Sequence, residues 1–141
     1  MKNRLALIFF IFLLLLSCKK NELENKTLDL GQIRVQVPIN WESFSRHGYD
    51  SAVGVITNGK DELLYDYGWY AYDLKKETSA TYIRTTTIIS NKPALIVQPK
   101  ERGQGLIGVY IEADSLNKLT IYGQDIQDES TVLKIFASVK L

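Results

Sequence analysis

Two hydrophobic rhythms divide this chain. Residues 5–16 are apolar without interruption, and from residue 27 onward short runs alternate between apolar and polar. Period-two alternation marks half-buried strands, because successive side chains point to opposite faces. Ile33, Val35 and Val37 alternate with Arg34 and Gln36, and Pro38 closes that strand. Residues 42–50 are mostly polar and read as a short helix or loop. Residues 52–57 are strand-like, and Asn58-Gly59 signals a hairpin because both residue types tolerate positive φ. Residues 62–72 return as a strand with a break expected at Gly68. A β-branched run covers 81–90, and Asn91-Lys92-Pro93 turns it into a strand over 94–98. The glycine-rich stretch Arg102-Gly103-Gln104-Gly105 reads as a mobile connection within 99–105. Residues 106–112 and 118–122 pair across a turn at 114–117.

The period changes near the end. Val132, Leu133, Ile135 and Phe136 sit at helical spacing, and Asp128 is placed to cap the N-terminus. One amphipathic helix is expected over 128–137, with 138–141 closing as a strand. Six or seven strands in hairpin order with one helix on a face make an α+β domain on an antiparallel sheet. Trp41, just past the first strand, is expected to lock that strand into the core. No internal repeat or second domain is evident, so 27–141 reads as one globular unit.

The uninterrupted run belongs to a different part of the molecule. Lys2 and Arg4 precede it, and Ser17-Cys18 follows it. An apolar stretch of twelve residues is short for a membrane span, which needs about 20, and suits a secretion signal. Leu15-Leu16-Ser17-Cys18 resembles the lipobox of bacterial lipoproteins. That resemblance implies cleavage after residue 17, a diacylglyceryl thioether on Cys18 and acylation of the new amino terminus. Each buried methylene contributes about 0.8 kcal/mol, and stable anchoring takes two chains or more. Residues 18–26 then form a lipidated cysteine and polar tether. Lys19 stands where these lipoproteins carry Asp for inner-membrane retention, so the resemblance points to the outer membrane of a Gram-negative cell envelope.

Charge and cysteine content narrow the functional range. Without the leader, 15 basic residues face 16 acidic ones, and no basic block occurs. Nucleic acid is therefore not an expected partner. Lipid would consume Cys18, the only cysteine, which removes disulfides, thiol nucleophiles and cysteine-based metal sites. No cofactor or metal is expected. Asp61, Glu62, Asp66 and Asp73 do not follow the spacing of an EF-hand loop, and calcium stays open only where carboxylates from neighbouring strands converge. His47, the only histidine, has no patterned catalytic partner, and Ser51 lies in no nucleophile elbow. The glycines near 103 lack a phosphate-loop Lys-Ser/Thr.

The densest chemical feature is Tyr65-Asp66-Tyr67-Gly68-Trp69-Tyr70-Ala71-Tyr72. In one continuous strand, Tyr65, Tyr67 and Trp69 share a face, and Asp66, Tyr70 and Tyr72 share the other. So many aromatics cannot all be buried on one side. They read either as a binding face or as core plus a cross-strand aromatic ladder.

Two weaker resemblances extend this reading. Val37-Pro38-Ile39-Asn40-Trp41, with a terminal Leu133-Lys134-Ile135-Phe136-Ala137-Ser138-Val139-Lys140, resembles the PsbP-like α/β/α proteins. That implies a non-enzymatic binding or assembly role. The sequence departs from the pattern where a middle helix would stand, since 65–75 alternate. The chain also resembles small lipoproteins of Bacteroidetes, whose Asp-Ser/Thr-aliphatic O-glycosylation pattern matches Asp50-Ser51-Ala52 and Asp114-Ser115-Leu116. The expected function is a lipid-anchored binding or assembly module with a protein or glycan partner. The alternatives are an inhibitor-type protective lipoprotein and, last, a small hydrolase built on His47.

Overall fold

A computed structural model describes residues 24–141. Cys18, the leader and residues 19–23 of the tether lie outside the described residues. Nine strands occur among them: β1 (Asn25–Asp29), β2 (Arg34–Pro38), β3 (Glu42–Arg46), β4 (Ser51–Thr57), β5 (Glu62–Gly68), β6 (Tyr82–Ile89), β7 (Lys92–Pro99), β8 (Leu106–Glu112) and β9 (Lys118–Gln124). They are followed by a helix, α1 (Glu129–Ala137). Strands β1 and β2 form a two-stranded sheet, and the others form a seven-stranded sheet in the order β3-β4-β5-β9-β8-β7-β6. All strand pairs are antiparallel. The α+β class expected from the sequence is the class observed.

The alternation explains the layers. Ile107, Val109 and Ile111 of β8, Leu119 and Ile121 of β9, and Leu63 and Tyr65 of β5 share one face of the large sheet. Against them pack Val132, Ile135 and Phe136 of α1, Val35 and Val37 of β2, and Trp41. Each fully buried side chain of this size contributes about 1.5–3 kcal/mol. Trp41 is 1% exposed, and its backbone N–H donates to the Pro38 carbonyl at 2.9 Å, closing a tight turn. The Asp128 carboxylate caps α1 through the Thr131 N–H at 3.1 Å.

The opposite face is covered differently. Four antiparallel steps separate β5 from β6, so the two run in the same direction and need a crossover. Residues 69–81 supply it as a strap with a single 3₁₀ turn, Leu74–Lys76. The strap is pinned to each strand it crosses. Thr120 of β9 donates to the Tyr72 carbonyl at 2.6 Å. Leu74 is fully buried with Val97, Leu106 and Tyr110. Arg84 of β6 donates to the carbonyls of Glu77 and Leu74. The second helical layer implied by the PsbP-like resemblance is thus replaced by a strap.

Several local expectations change. Residues 42–46 are strand β3, where a helix or loop was expected, because an edge strand exposed on both sides shows little alternation. Strand β1 begins at Asn25, inside the expected tether, and pairs with β2. The Asn58-Gly59 hairpin has a four-residue loop in which Gly59 alone has positive φ, and Asn58 Oδ1 accepts from the N–H groups of Lys60 and Asp61. The β6–β7 turn is Ser90-Asn91, both left-handed, as a two-residue hairpin turn requires. The connection at 102–105 is held rather than free. Gly103 N–H donates to Glu129 Oε1 at 2.8 Å and Gly105 N–H to Asp125 Oδ1 at 2.6 Å. The closing strand reduces to one bridge between Lys140 and Arg34.

Candidate functional site

The aromatic segment splits at Gly68. A Cβ there would lie 2.5 Å from Ser51 Cβ and 3.0 Å from the Asp50 carbonyl, so only glycine lets β5 and β4 approach. The chain turns at 69–70, and the two-face assignment from the sequence ends with it. Tyr65 is 4% exposed and belongs to the core. Its ring lies across Gly54, its partner on β4, where a Cβ would meet the hydroxyl at 2.5 Å. Tyr67 is half-buried against the same core. Trp69, Tyr70 and Tyr72 are 53%, 78% and 39% exposed.

Tyr72 is the best fixed of the exposed three. Its hydroxyl donates to Glu77 Oε1 at 2.6 Å, and its ring lies 5.8 Å from that of Tyr122. The hydrogen bond to Glu77, then burial, push its phenol above the ordinary tyrosine value. Asp66 sits on the strap face beside Thr120. Its Oδ1 is buried and has no hydrogen-bond partner among the described residues. Burial pushes its carboxyl up, and the Ser51 hydroxyl pulls the other way.

Spatial neighbours enlarge the group. Tyr49, fully exposed, lies in the β3–β4 loop next to the Gly68 bend. Leu116, 56% exposed, crowns the β8–β9 turn, whose Lys118 pairs with Gly68. That turn is rigid: Asp114 Oδ1 accepts from the N–H groups of Leu116 and Asn117 at 2.8 and 2.7 Å. The Asn117 side-chain amide, with these backbone donors, holds the Asp114 carboxyl below the ordinary aspartate value. Tyr49, Trp69, Tyr70 and Leu116 thus gather at one end of the large sheet. The described chain enters at the other end, where Glu24 accepts from Ile39 N–H and β3 begins opposite Thr57. Tyr49 and Leu116 escaped sequence reasoning because each stands alone between polar turn formers.

Comparison with family models, curated proteins and solved structures returned no match to this chain.

The remaining candidates separate cleanly. His47 is exposed in the β3–β4 loop. Asp61 is 5% exposed and structural, accepting from Gln127 N–H at 3.0 Å. No group of three or more His, Cys, Asp or Glu placed to hold a metal occurs among the described residues. Ser115 is exposed at its turn, whereas Ser51 is half-buried as the first residue of β4. A groove of about 420 Å³ on the strap face includes Lys75, Tyr110 and Glu112 in its lining. Lys75 is already engaged there, paired with Glu112 and 5.1 Å from the Tyr110 ring centroid. What the exposed end offers chemically is apolar and aromatic contact area on short, well-held turns.

Proposed function

We propose that the chain is a lipid-anchored binding or assembly module of the bacterial cell envelope, tethered at the outer membrane through Cys18, working by contact rather than catalysis. One observation carries the binding half of this reading: Tyr49, Trp69, Tyr70 and Leu116 are exposed together at the end of the sheet far from Glu24. Tyrosine and tryptophan give large contact area at little side-chain entropy cost and dominate recognition hot spots. Turns set on a rigid sheet are where such residues act. The distant chain entry leaves this end free when Cys18 is in a membrane. An inhibitor-type role differs only in the identity of the partner. Of the two Asp-Ser-aliphatic motifs, the exposed Ser115 is the proposed glycosylation position, because Ser51 begins a strand.

The test is a photo-crosslinking residue at Tyr49 in the full-length chain, expressed in its own cells. A discrete adduct is expected, whose mass distinguishes protein from glycan. Trp69→Ala with Tyr70→Ala should lower the yield at least about tenfold, the effect of losing one hot spot worth 1.4 kcal/mol or more. An unchanged yield in that double variant would remove the aromatic end from the proposal.

A further inference from the structure

The two outer edges of the large sheet are built differently. Strand β3 has five residues, begins with Glu42 and ends with Arg46, and Arg46 pairs with Glu62 at 3.7 Å. Short length and charge are how proteins blunt an edge against pairing. Strand β6 has eight residues, YIRTTTII, with no lysine, acid or proline. Its single charge, Arg84, is turned onto the strap and does not guard the edge. Ile83 and Ile88 are 50% and 66% exposed on opposite faces of the sheet. Among the described residues no strand pairs with the outer side of β6. A long β-branched edge left in this state is a template for another strand.

We infer that β6 pairs antiparallel with β6 of a second copy of this chain, joining two sheets across a two-fold axis. A two-fold normal to the sheet preserves its faces. It therefore puts α1 and the β1–β2 layer of both copies on the same side. Both chain entries at Glu24 then lie on that side, and both copies can be anchored to one membrane. Both straps lie on the other side of the joined sheet. The sequence of β6 favours one register. Centring the axis on Thr85 opposes Tyr82 with Ile88, Ile83 with Thr87 and Arg84 with Thr86, so aromatic and β-branched side chains meet. Centring it on Arg84 would set two like charges opposite each other, which is unfavourable. Confinement to a membrane raises the effective concentration of the second copy. The pairing itself does not depend on the anchor.

The experiment uses the full chain, in membranes and in detergent. At the two-fold, Thr85 faces its own copy at about 4.5–5.5 Å between Cα atoms, within disulfide range. Thr85→Cys under mild oxidant should give at least ten times the covalent dimer of Ser45→Cys, on the β3 edge. Adding Ile83→Lys and Ile88→Lys should abolish that dimer, because lysine guards edges. Equal cross-linking of the two cysteine variants, or indifference to the lysines, overturns the pairing. Sedimentation of the unsubstituted chain gives an independent reading. Dimer mass that falls to monomer with the two lysines is expected, and a monomer at every concentration up to about 100 μM, well above typical specific affinities, overturns the inference.

Discussion

At the scale of single residues, glycine positions decide which aromatics are core. Tyr65 is inside because Gly54 faces it, a cross-strand fact that spacing along one strand does not reveal. Gly54→Ala would drive a methyl group into the Tyr65 ring and the Phe44 carbonyl. Overpacking of this kind costs about 1–3 kcal/mol, read as a lower melting temperature, and an unchanged melt would show that the ring can move aside at no cost. Asp66 makes a prediction of its own. Burial raises its folded pKa above the ordinary 3.8, so the native state holds its proton more tightly than the unfolded chain. Stability therefore falls as pH rises through the window between the two values. Asp66→Asn should melt like the parent at pH 3 and above it at pH 7. The difference between the two proteins isolates Asp66 from Glu112, Asp114 and Asp128, whose lowered pKa values shift stability in the opposite sense. A difference independent of pH would mean that the buried carboxylate is not the source.

At the scale of elements, what was legible was what alternates. Strands β2, β4, β5, β6, β7, β8 and β9 follow from alternation or from apolar and β-branched runs bounded by turn residues, and the helix from its Asp128 cap and its one buried stripe. Strand β3 and the strap did not follow. The first is an edge with little to bury, and the second is held mainly by one leucine and by backbone carbonyls. The Trp69, Tyr70 and Tyr72 side chains ride on that strap, so Leu74 governs their presentation. Leu74→Ala should cost about 2–5 kcal/mol. Amide exchange across 69–81 should accelerate more than in β8 or β9, and uniform acceleration would mean that the strap does not open as a unit. The helix cap is a smaller contribution. Asp128→Ala loses the bonds to the Thr131 N–H and the Ser130 and Thr131 hydroxyls, at about 0.5–2 kcal/mol. Those same bonds hold the Asp128 carboxyl below its ordinary value. The contribution is therefore present above the ordinary aspartate range and is lost as pH falls through the lowered value.

At the scale of the whole molecule, the central strands of the seven-stranded sheet are covered on both faces by unlike layers, and the described chain enters at the end opposite the aromatic turns. The class was legible because antiparallel hairpins leave local marks. The exposed end was only half legible, since Tyr49 and Leu116 reach Trp69 and Tyr70 through strand register alone. Under the proposed lipid anchor, this geometry makes anchoring separable from folding. The main core draws on residues from Leu30 to Val139, with Leu28 and others packed at its margin. Strand β1 is closed by backbone bonds to β2, and Glu24 by its bond to Ile39. Cys18→Ala should therefore leave the melting temperature unchanged while moving the protein out of the membrane fraction. The two measurements answer different questions. A variant that melts normally but stays with the membrane rules out Cys18 as the anchor and leaves the fold untouched. A variant that leaves the membrane but melts lower shows that the lipidated segment packs on the domain, so the tether would not swing freely. Only release with an unchanged melt agrees with a domain folded from residue 24 onward and held at the membrane by its lipid.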